Sequence, residues 1–147
     1  MQMYHPEETH GEVTAIYLTH GVAPKQDTYQ YLILPGMDKE NVAAFNLSDI
    51  QILRNDATAQ AVYSEGNTTC WVAAYQPVQL TVSTDLILNI QTPGIYMIRK
   101  NESGRYVINY ADPTQQRNVA ELELNHKKVR LSLPEGKEKG KTTSIVG

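Results

Sequence analysis

Histidine and cysteine, the side chains that form dedicated metal sites, are few and widely separated in this chain of 147 residues. No pair of histidines has the His-x-x-x-His spacing, no carboxylate stands at metal-ligand spacing beside them, and Cys70 is the single cysteine. A protein metal site needs several such ligands held together. The sequence therefore predicts no metal site and no cofactor. The histidines concerned are His5, His10, His20 and His126.

The run Asp112-Pro113-Thr114-Gln115 combines a carboxylate with a hydroxyl and an amide, which could serve acid–base chemistry. The same residue types also form turns, because Asp and Thr side chains bond backbone amides and proline fixes φ. We predict a structural turn that ends a strand, with Gln115 bracing a neighbouring strand. No serine lies in a Gly-x-Ser-x-Gly elbow and no glycine loop has the context that phosphate binding requires. The sequence thus predicts no catalytic residue in this chain.

Carbohydrate binding is the second chemistry that the composition suggests, because Trp71 and nine tyrosines could stack on sugar rings. In the segment 68–75, however, the apolar residues fall on both faces of an alternating strand. We therefore predict that this strand is buried on both sides and that Trp71 is a core or interdomain anchor. Truncation of a buried Trp71 to alanine would cost roughly 3–5 kcal/mol.

Charge is unevenly distributed along the chain. The net charge is −3, but the part from His126 onward carries +4 and the remainder carries −7. The basic part has the right sign for a sulfated or carboxylated glycan, so Lys127, Lys128 and Trp71 are the candidates for a weak glycan contact. A solvated edge strand gives the same pattern. Nucleic acid is not favoured as a partner, because the chain is acidic and its aromatic and basic residues are segregated.

Targeting and membrane signals are absent from the sequence given. It opens with no signal-peptide pattern, and no apolar run approaches the ~20 residues needed to span a bilayer. One cysteine excludes an intrachain disulfide, so we expect packing to hold the fold together.

Most of the chain alternates apolar and polar residues with a period of two, which is typical of strands with one buried face. The pattern predicts an all-β fold, an antiparallel β-sandwich of two Greek-key-like sheets, with one short helix near residues 38–46. A hairpin around 101–104 and a two-residue turn at Asn125 and His126 are expected. The predicted strands are 13–19, 28–34, 50–53, 57–63, 68–75, 78–82, 86–90, 95–100, 105–110, 120–124, 128–133 and 142–146.

A longer set of motifs runs in a fixed order along the chain. His20-Gly21, Pro24 and Tyr29-Gln30-Tyr31-Leu32-Ile33-Leu34-Pro35-Gly36 come first, then 58–62, then the Trp71 strand, then Asp112-Pro113-Thr114-Gln115. This order resembles the C-terminal end of polysaccharide lyase family 8, whose members cleave chondroitin or hyaluronan. One departure is Cys70-Trp71, where family members commonly carry Phe-Trp. For His20 we expect a structural role beside Gly21.

The resemblance implies that catalysis takes place on a different domain of the lyase. In that family an Asn, a His, a Tyr and an Arg on a helical toroid carry out β-elimination, and a 147-residue β-rich chain cannot contain that toroid. It implies that this chain is a non-catalytic C-terminal accessory domain, exported to the periplasm or outside the cell. Its partners would be the other domains of the lyase, namely the central β-sandwich and the helical catalytic domain, together with glycosaminoglycan polysaccharide. By the same resemblance, residues 1–46 are the last strands of the central sandwich with a helical link, and 47–147 are the C-terminal sandwich.

An independent carbohydrate-binding or adhesion module is the alternative from a different functional class. Only that alternative requires measurable glycan affinity in the isolated chain, so a glycan titration discriminates the two hypotheses.

Overall fold

The structure, a computed structural model, describes residues 17, 19, 21–23, 25 and 28–147. The chain divides into two compact units, Met1–Ile33 and Leu34–Gly147. His5, His10, His20 and most of the predicted strand 13–19 lie outside the described residues.

The segment that was predicted to be a strand over 28–34 forms no β-strand in the structure. Its side chains still show the expected spacing, since the rings of Tyr29 and Tyr31 stack at 6.0 Å between centroids. Tyr29, Tyr31 and Ile33 are all exposed. The prediction was wrong because alternation selects which residues share a face, whereas a strand also needs a neighbouring strand to complete its ladder.

The second unit begins with the predicted short helix, α1 (Lys39–Ala44). Asp38 is its N-cap, and the carboxylate of Asp38 accepts a hydrogen bond from the Asn41 backbone N–H at 2.8 Å. This bond satisfies one of the free donors at the start of the helix. The helix has no buried residue, so local capping rather than core packing defines it.

Ten strands follow and form two antiparallel sheets, which confirms the predicted all-β sandwich class. The large sheet has the strand order β1-β2-β3-β6-β7-β10, and the small sheet has the order β4-β5-β8-β9. The strands are β1 (Ile50–Asn55), β2 (Ala59–Ser64), β3 (Thr69–Ala74), β4 (Val78–Ser83), β5 (Leu86–Ile90), β6 (Gly94–Lys100), β7 (Tyr106–Ala111), β8 (Val119–Leu124), β9 (Lys127–Ser132) and β10 (Thr143–Val146).

The core lies between the two sheets and takes every second residue of each central strand. In the small sheet, burial alternates along β4 and β5, and along β9 from Lys128 onward. The largest fully buried side chains include Tyr96, Tyr110, Leu86 and Ile98. Period-two burial of this kind is how a strand removes apolar surface from water while keeping its backbone paired.

Two tyrosines form the centre of the large sheet's inner face. Tyr96 and Tyr110 are directly opposite each other on β6 and β7, with ring centroids 4.8 Å apart. Burial raises the pKa of Tyr96. Each hydroxyl nevertheless has a partner, because Tyr96 donates to the Thr92 carbonyl at 2.6 Å and Tyr110 to the Pro93 carbonyl at 2.9 Å. Both rings can therefore be buried without an unsatisfied polar group.

The predicted turn at Asn125 and His126 joins β8 to β9, and both residues have positive φ, 50° and 66°. That geometry matches the twist of a two-residue hairpin. The Asn125 side chain also accepts a hydrogen bond from the Ile87 N–H at 2.8 Å and donates to the Asp85 carbonyl at 2.7 Å. The turn thus ties three strands of the small sheet together.

Gly94 generates a stability prediction, because a methyl group there would lie 2.4 Å from the Tyr110 ring and φ is +154°. We expect Gly94→Ala to lower the free energy of unfolding by about 3 kcal/mol, through overpacking and backbone strain together. Gly104→Ala is the control, since its φ is +74° but its Cβ would have no neighbour within 4 Å. The control should cost about 1 kcal/mol. Equal losses in chemical denaturation would contradict the steric argument.

Candidate functional site

The loop after β7 is organised around the buried carboxylate of Asp112, which is 5% exposed. One carboxylate oxygen accepts hydrogen bonds from the Thr114 N–H and hydroxyl, at 3.0 and 2.7 Å. The other accepts from the backbone N–H groups of Gln116 and Arg117, at 3.0 and 2.9 Å. The predicted turn is therefore present, and both oxygens of its carboxylate are occupied.

Arg117 adds a charge to this loop that the sequence did not single out. Its guanidinium donates to the Asp112 carboxylate at 2.9 Å and to the Thr114 hydroxyl at 3.2 Å. The only sequence signal was a basic residue five positions after the aspartate, which is too common to be diagnostic. In the folded loop the pair is an ion pair with a buried carboxylate.

The ionisation of Asp112 follows from these bonds. Burial alone raises the pKa of a carboxyl, but hydrogen bonds from Thr114, Arg117 and Gln116 to the charged form lower the pKa of Asp112 to about 2. A carboxylate that is ionised so firmly and fully bonded is suited to holding a loop. It is not suited to taking up a proton near neutral pH.

Gln115, the fourth residue of the run, has a positive φ of 55°. Its side chain lies so close to Gly140 that a Cβ on Gly140 would meet the Gln115 amide nitrogen at 3.0 Å. Gln115 therefore braces the segment that leads into β10, and this segment is a loop rather than the strand that was expected.

Trp71 is 42% exposed, so it is not a core residue of this chain, whereas its other predicted role, as an interdomain anchor, stays a prediction. Cys70, Val72 and Ala74 of β3 are buried against the small sheet, whereas Trp71 and the following Tyr75 face outward. The prediction of burial on both faces was wrong because an alternating strand whose two faces are both apolar does not reveal whether a second layer covers the outer one. Burial raises the pKa of the Cys70 thiol to about 12, so that thiol is held in its neutral form.

Trp71 belongs to an apolar surface, which we call the large outer face. Pairing registers place Val62, Trp71, Met97, Asn109 and Ser144 in one row across five strands. Arg99 is the only charged residue among the outward positions of these strands, and none of those positions is a carboxylate. The positions are Gln60, Val62, Ser64, Thr69, Trp71, Ala73, Ile95, Met97, Arg99, Val107, Asn109, Ala111, Ser144 and Val146.

Lys128 lies on a different surface, the outward side of β8 and β9, which we call the small outer face. It is directly opposite Glu123, and Arg130 pairs with Glu121 at 3.6 Å. These residues line a shallow open depression of about 440 Å³. The alternation of cations and carboxylates neutralises the surface that a sulfated glycan would need. Lys127 is exposed beside the turn, and the residue opposite it on β8 is Leu124, which is not a carboxylate.

The three candidates for glycan contact are therefore not brought together. The two sheets pack through their inner faces, so Trp71 on the large outer face and Lys128 on the small outer face point away from each other. One short oligosaccharide cannot contact both.

The part of the chain that the structure describes contains neither a metal-ligand cluster nor a membrane-spanning helix. There, no three His, Cys, Asp or Glu side chains are grouped so that they could hold a metal ion. No helix among the described residues has the length and apolar character to cross a bilayer.

Comparison with known proteins connects this geometry to a family. The sequence profile of the polysaccharide lyase family 8 C-terminal beta-sandwich domain matches residues 51–121, which run from β1 into β8. Residues 51–121 belong to a C-terminal β-sandwich domain of polysaccharide lyase family 8. The resemblance drawn from the sequence motifs is thereby confirmed.

Individual relatives agree with that assignment. Chondroitinase-AC of Pedobacter heparinus is 27% identical over 146 residues, 95% of this chain and 21% of that protein. Chondroitin sulfate ABC exolyase of Bacteroides thetaiotaomicron is 27% identical over 108 residues, 73% of this chain and 11% of that protein. A solved structure of chondroitinase AC lyase superposes with a TM-score of 0.67 at 25% identity, over 76% of this chain and 17% of that one. The chain thus spans about a fifth or less of the length of these relatives.

The Asp112 loop generates a pH-dependent prediction. Asp112→Asn should lower the free energy of unfolding by about 2 kcal/mol at neutral pH, because it removes the charge that several hydrogen bonds stabilise. The folded pKa of about 2 lies below the ordinary value of 3.8, so this contribution is complete above pH 4 and is lost as the pH falls towards 2. Denaturation of both proteins at neutral and acidic pH measures the difference. Glu121→Gln, which breaks an exposed ion pair, should change stability by less than about 1 kcal/mol.

The exposure of Trp71 revises the stability expected from its truncation. We now expect Trp71→Ala to lower the free energy of unfolding by less than about 2 kcal/mol, because much of the ring is already in water. Tyr96→Ala, which empties a fully buried site, should cost about 3–5 kcal/mol. Chemical denaturation ranks the two variants, and a larger loss for Trp71→Ala would restore the core assignment.

Proposed function

We propose that this chain is a non-catalytic accessory domain of a glycosaminoglycan lyase that cleaves its substrate by β-elimination. The observation that carries the proposal is the state of Asp112, the buried carboxylate of the family-like motif. Both of its oxygens are engaged by the loop's own donors, and its pKa is held near 2. A group in that state stabilises structure and does not transfer protons at neutral pH.

The comparisons give the proposal its context. The matched profile is named as a C-terminal β-sandwich, and the relatives whose names describe chondroitin lyases are about five times longer than this chain or more. Under the family resemblance, the groups that perform β-elimination lie on a helical domain. We propose the same arrangement here, with the central β-sandwich and the helical catalytic domain as partners, glycosaminoglycan as the substrate of the complete lyase, and a location in the periplasm or outside the cell.

The domain division is part of this proposal. We assign residues 1–46 to the end of the preceding sandwich and its helical link, and residues 47–147 to the C-terminal sandwich. The exposed side chains of Tyr29, Tyr31 and Ile33 support the assignment, because an alternating aromatic segment becomes buried when it completes a sheet in a larger protein.

An independent carbohydrate-binding module remains the second candidate, and the exposed indole of Trp71 is the observation that favours it. Lys127 and Lys128 contribute little to this candidate, since Glu121 and Glu123 share the surface of Lys128. We therefore propose at most a weak, salt-sensitive glycan contact at Lys127, Lys128 or Trp71. Its dissociation constant should be no tighter than about millimolar, near −4 kcal/mol.

The central prediction is that the purified chain does not cleave chondroitin sulfate or hyaluronan. Ultraviolet absorbance from the unsaturated uronide reports the reaction, and Chondroitinase-AC of Pedobacter heparinus is the positive control. The absorbance should stay at the level of the blank. A steady rise that is proportional to the concentration of the chain would overturn the accessory role.

Calorimetric titration with chondroitin sulfate oligosaccharides separates the accessory role from the binding module. Micromolar affinity that survives added salt and disappears in Trp71→Ala would favour the module. Weak binding that falls with salt and is reduced equally by Lys127→Ala and Lys128→Ala would be screened surface attraction and would leave the accessory role in place.

A further inference from the structure

The large outer face is unusual for the surface of an acidic protein. The chain has 16 acidic residues, yet the outward positions of β2, β3, β6, β7 and β10 include no carboxylate and a single cation, Arg99. Trp71 is 42% exposed, Ile95 46% and Val146 48%, and Tyr75 extends the surface beyond β3 at 53%. A contiguous apolar area of this kind marks a contact surface more often than a solvated one.

The small outer face, which is exposed to water, has a different composition from the large outer face. There, Glu121 is opposite Arg130 and Glu123 is opposite Lys128, so two of the three outward pairs between β8 and β9 join opposite charges, and the third is Val119 with Ser132. Asn89 also donates to Glu123 at 3.1 Å. The apolar character of the large outer face is therefore a property of that face and not of the whole sandwich.

The polar groups near Trp71 argue against a sugar as the occupant. The Asn109 amide donates to the Met97 carbonyl at 3.2 Å, and its oxygen accepts a hydrogen bond from the Ser144 hydroxyl at 2.6 Å. The direct neighbours of Trp71 in the row are Val62 and Met97. A sugar bound on the indole would find apolar side chains beside the ring and few free hydrogen-bonding groups for its hydroxyls.

We infer that the large outer face packs against another domain of the same lyase polypeptide, through an apolar surface that places a carboxylate opposite Arg99. This inference rests on the proposed accessory role and adds to it the surface by which the domain is held. Relatives that contain this sandwich carry about four-fifths or more of their length outside the matched region, which supplies the covering domain.

A second copy of the chain is a poorer occupant for two reasons. Five strands about 4.8 Å apart, each presenting about 17 Å of length, give the face an area of about 400 Å². This area is about half of the surface that each partner buries in a stable interface between separate molecules. An area of this size is sufficient for a contact between domains that are linked in one chain. In a two-fold contact the same surface meets itself, and Arg99 would find no carboxylate there.

Hydroxyl-radical footprinting read by mass spectrometry tests the inference residue by residue. It compares the 147-residue chain with the complete lyase polypeptide that carries it. In the complete polypeptide, oxidation of Trp71 and Met97 should be at least about fivefold slower, because a packed interface excludes water from its centre. His126, exposed at the other sheet, is the internal control and should react equally in both.

A matched pair of variants tests the energetic consequence. Ile95→Glu, on the large outer face, should lower the midpoint of thermal unfolding of the complete polypeptide and leave that of the isolated chain nearly unchanged. Thr81→Glu places the same charge on the outward side of β4 in the small sheet, where it is exposed, and should change neither midpoint. The isolated chain thus reports whether each variant folds.

Several outcomes would overturn the inference. Equal oxidation of Trp71 in both forms, dimerisation of the isolated chain that Ile95→Glu abolishes, or protection of Trp71 by chondroitin oligosaccharide would each assign the face another role. If the complete polypeptide cleaves glycan while Trp71 stays reactive, the docking surface is wrong and the accessory role stands. If the isolated chain itself cleaves glycan, the accessory role fails, whatever the footprint shows.

Discussion

The sandwich depends on burying one face of each sheet without leaving polar groups unsatisfied. The only cysteine, Cys70, is free and buried, so cross-links do not contribute, and the stabilising free energy must come from packing between the sheets. Tyr96 and Tyr110 show how this is done at the centre. Their rings fill the core while their hydroxyls donate to the Thr92 and Pro93 carbonyls, just before β6. Gly94 is required beside them because any side chain would occupy the space of the Tyr110 ring.

The motif that resembles the lyase family has a structural role in this unit. Asp112 binds its own loop through backbone amides, and Gln115 carries the effect to Gly140, just before β10. The Asp112 carboxylate thus organises the loop after β7, and Gln115 of the same loop lies beside the approach of the last strand. Motifs of this kind identify the family by the fold they maintain, and the reaction chemistry does not have to lie on them.

The two outer faces of the sandwich differ in composition, and this difference indicates which face can contact the rest of a larger protein. The small outer face carries paired charges and is adapted to water, whereas the large outer face presents Trp71, Ile95 and Val146 with Arg99 as its only charge. This difference between the two faces is the basis for proposing that the large outer face packs against another domain.

The sequence by itself determined the local elements, because they are set by short-range rules. Alternation located the ten strands, Asp38 marked the start of the helix, and the turns at 101–104 and 125–126 were visible from their residue types. The motif order also identified the family. Tertiary structure alone decided which apolar face of β3 is covered, whether 28–34 finds a ladder partner, and that Arg117 joins Asp112. These outcomes depend on which segments become neighbours in space, and the local sequence pattern does not contain that information.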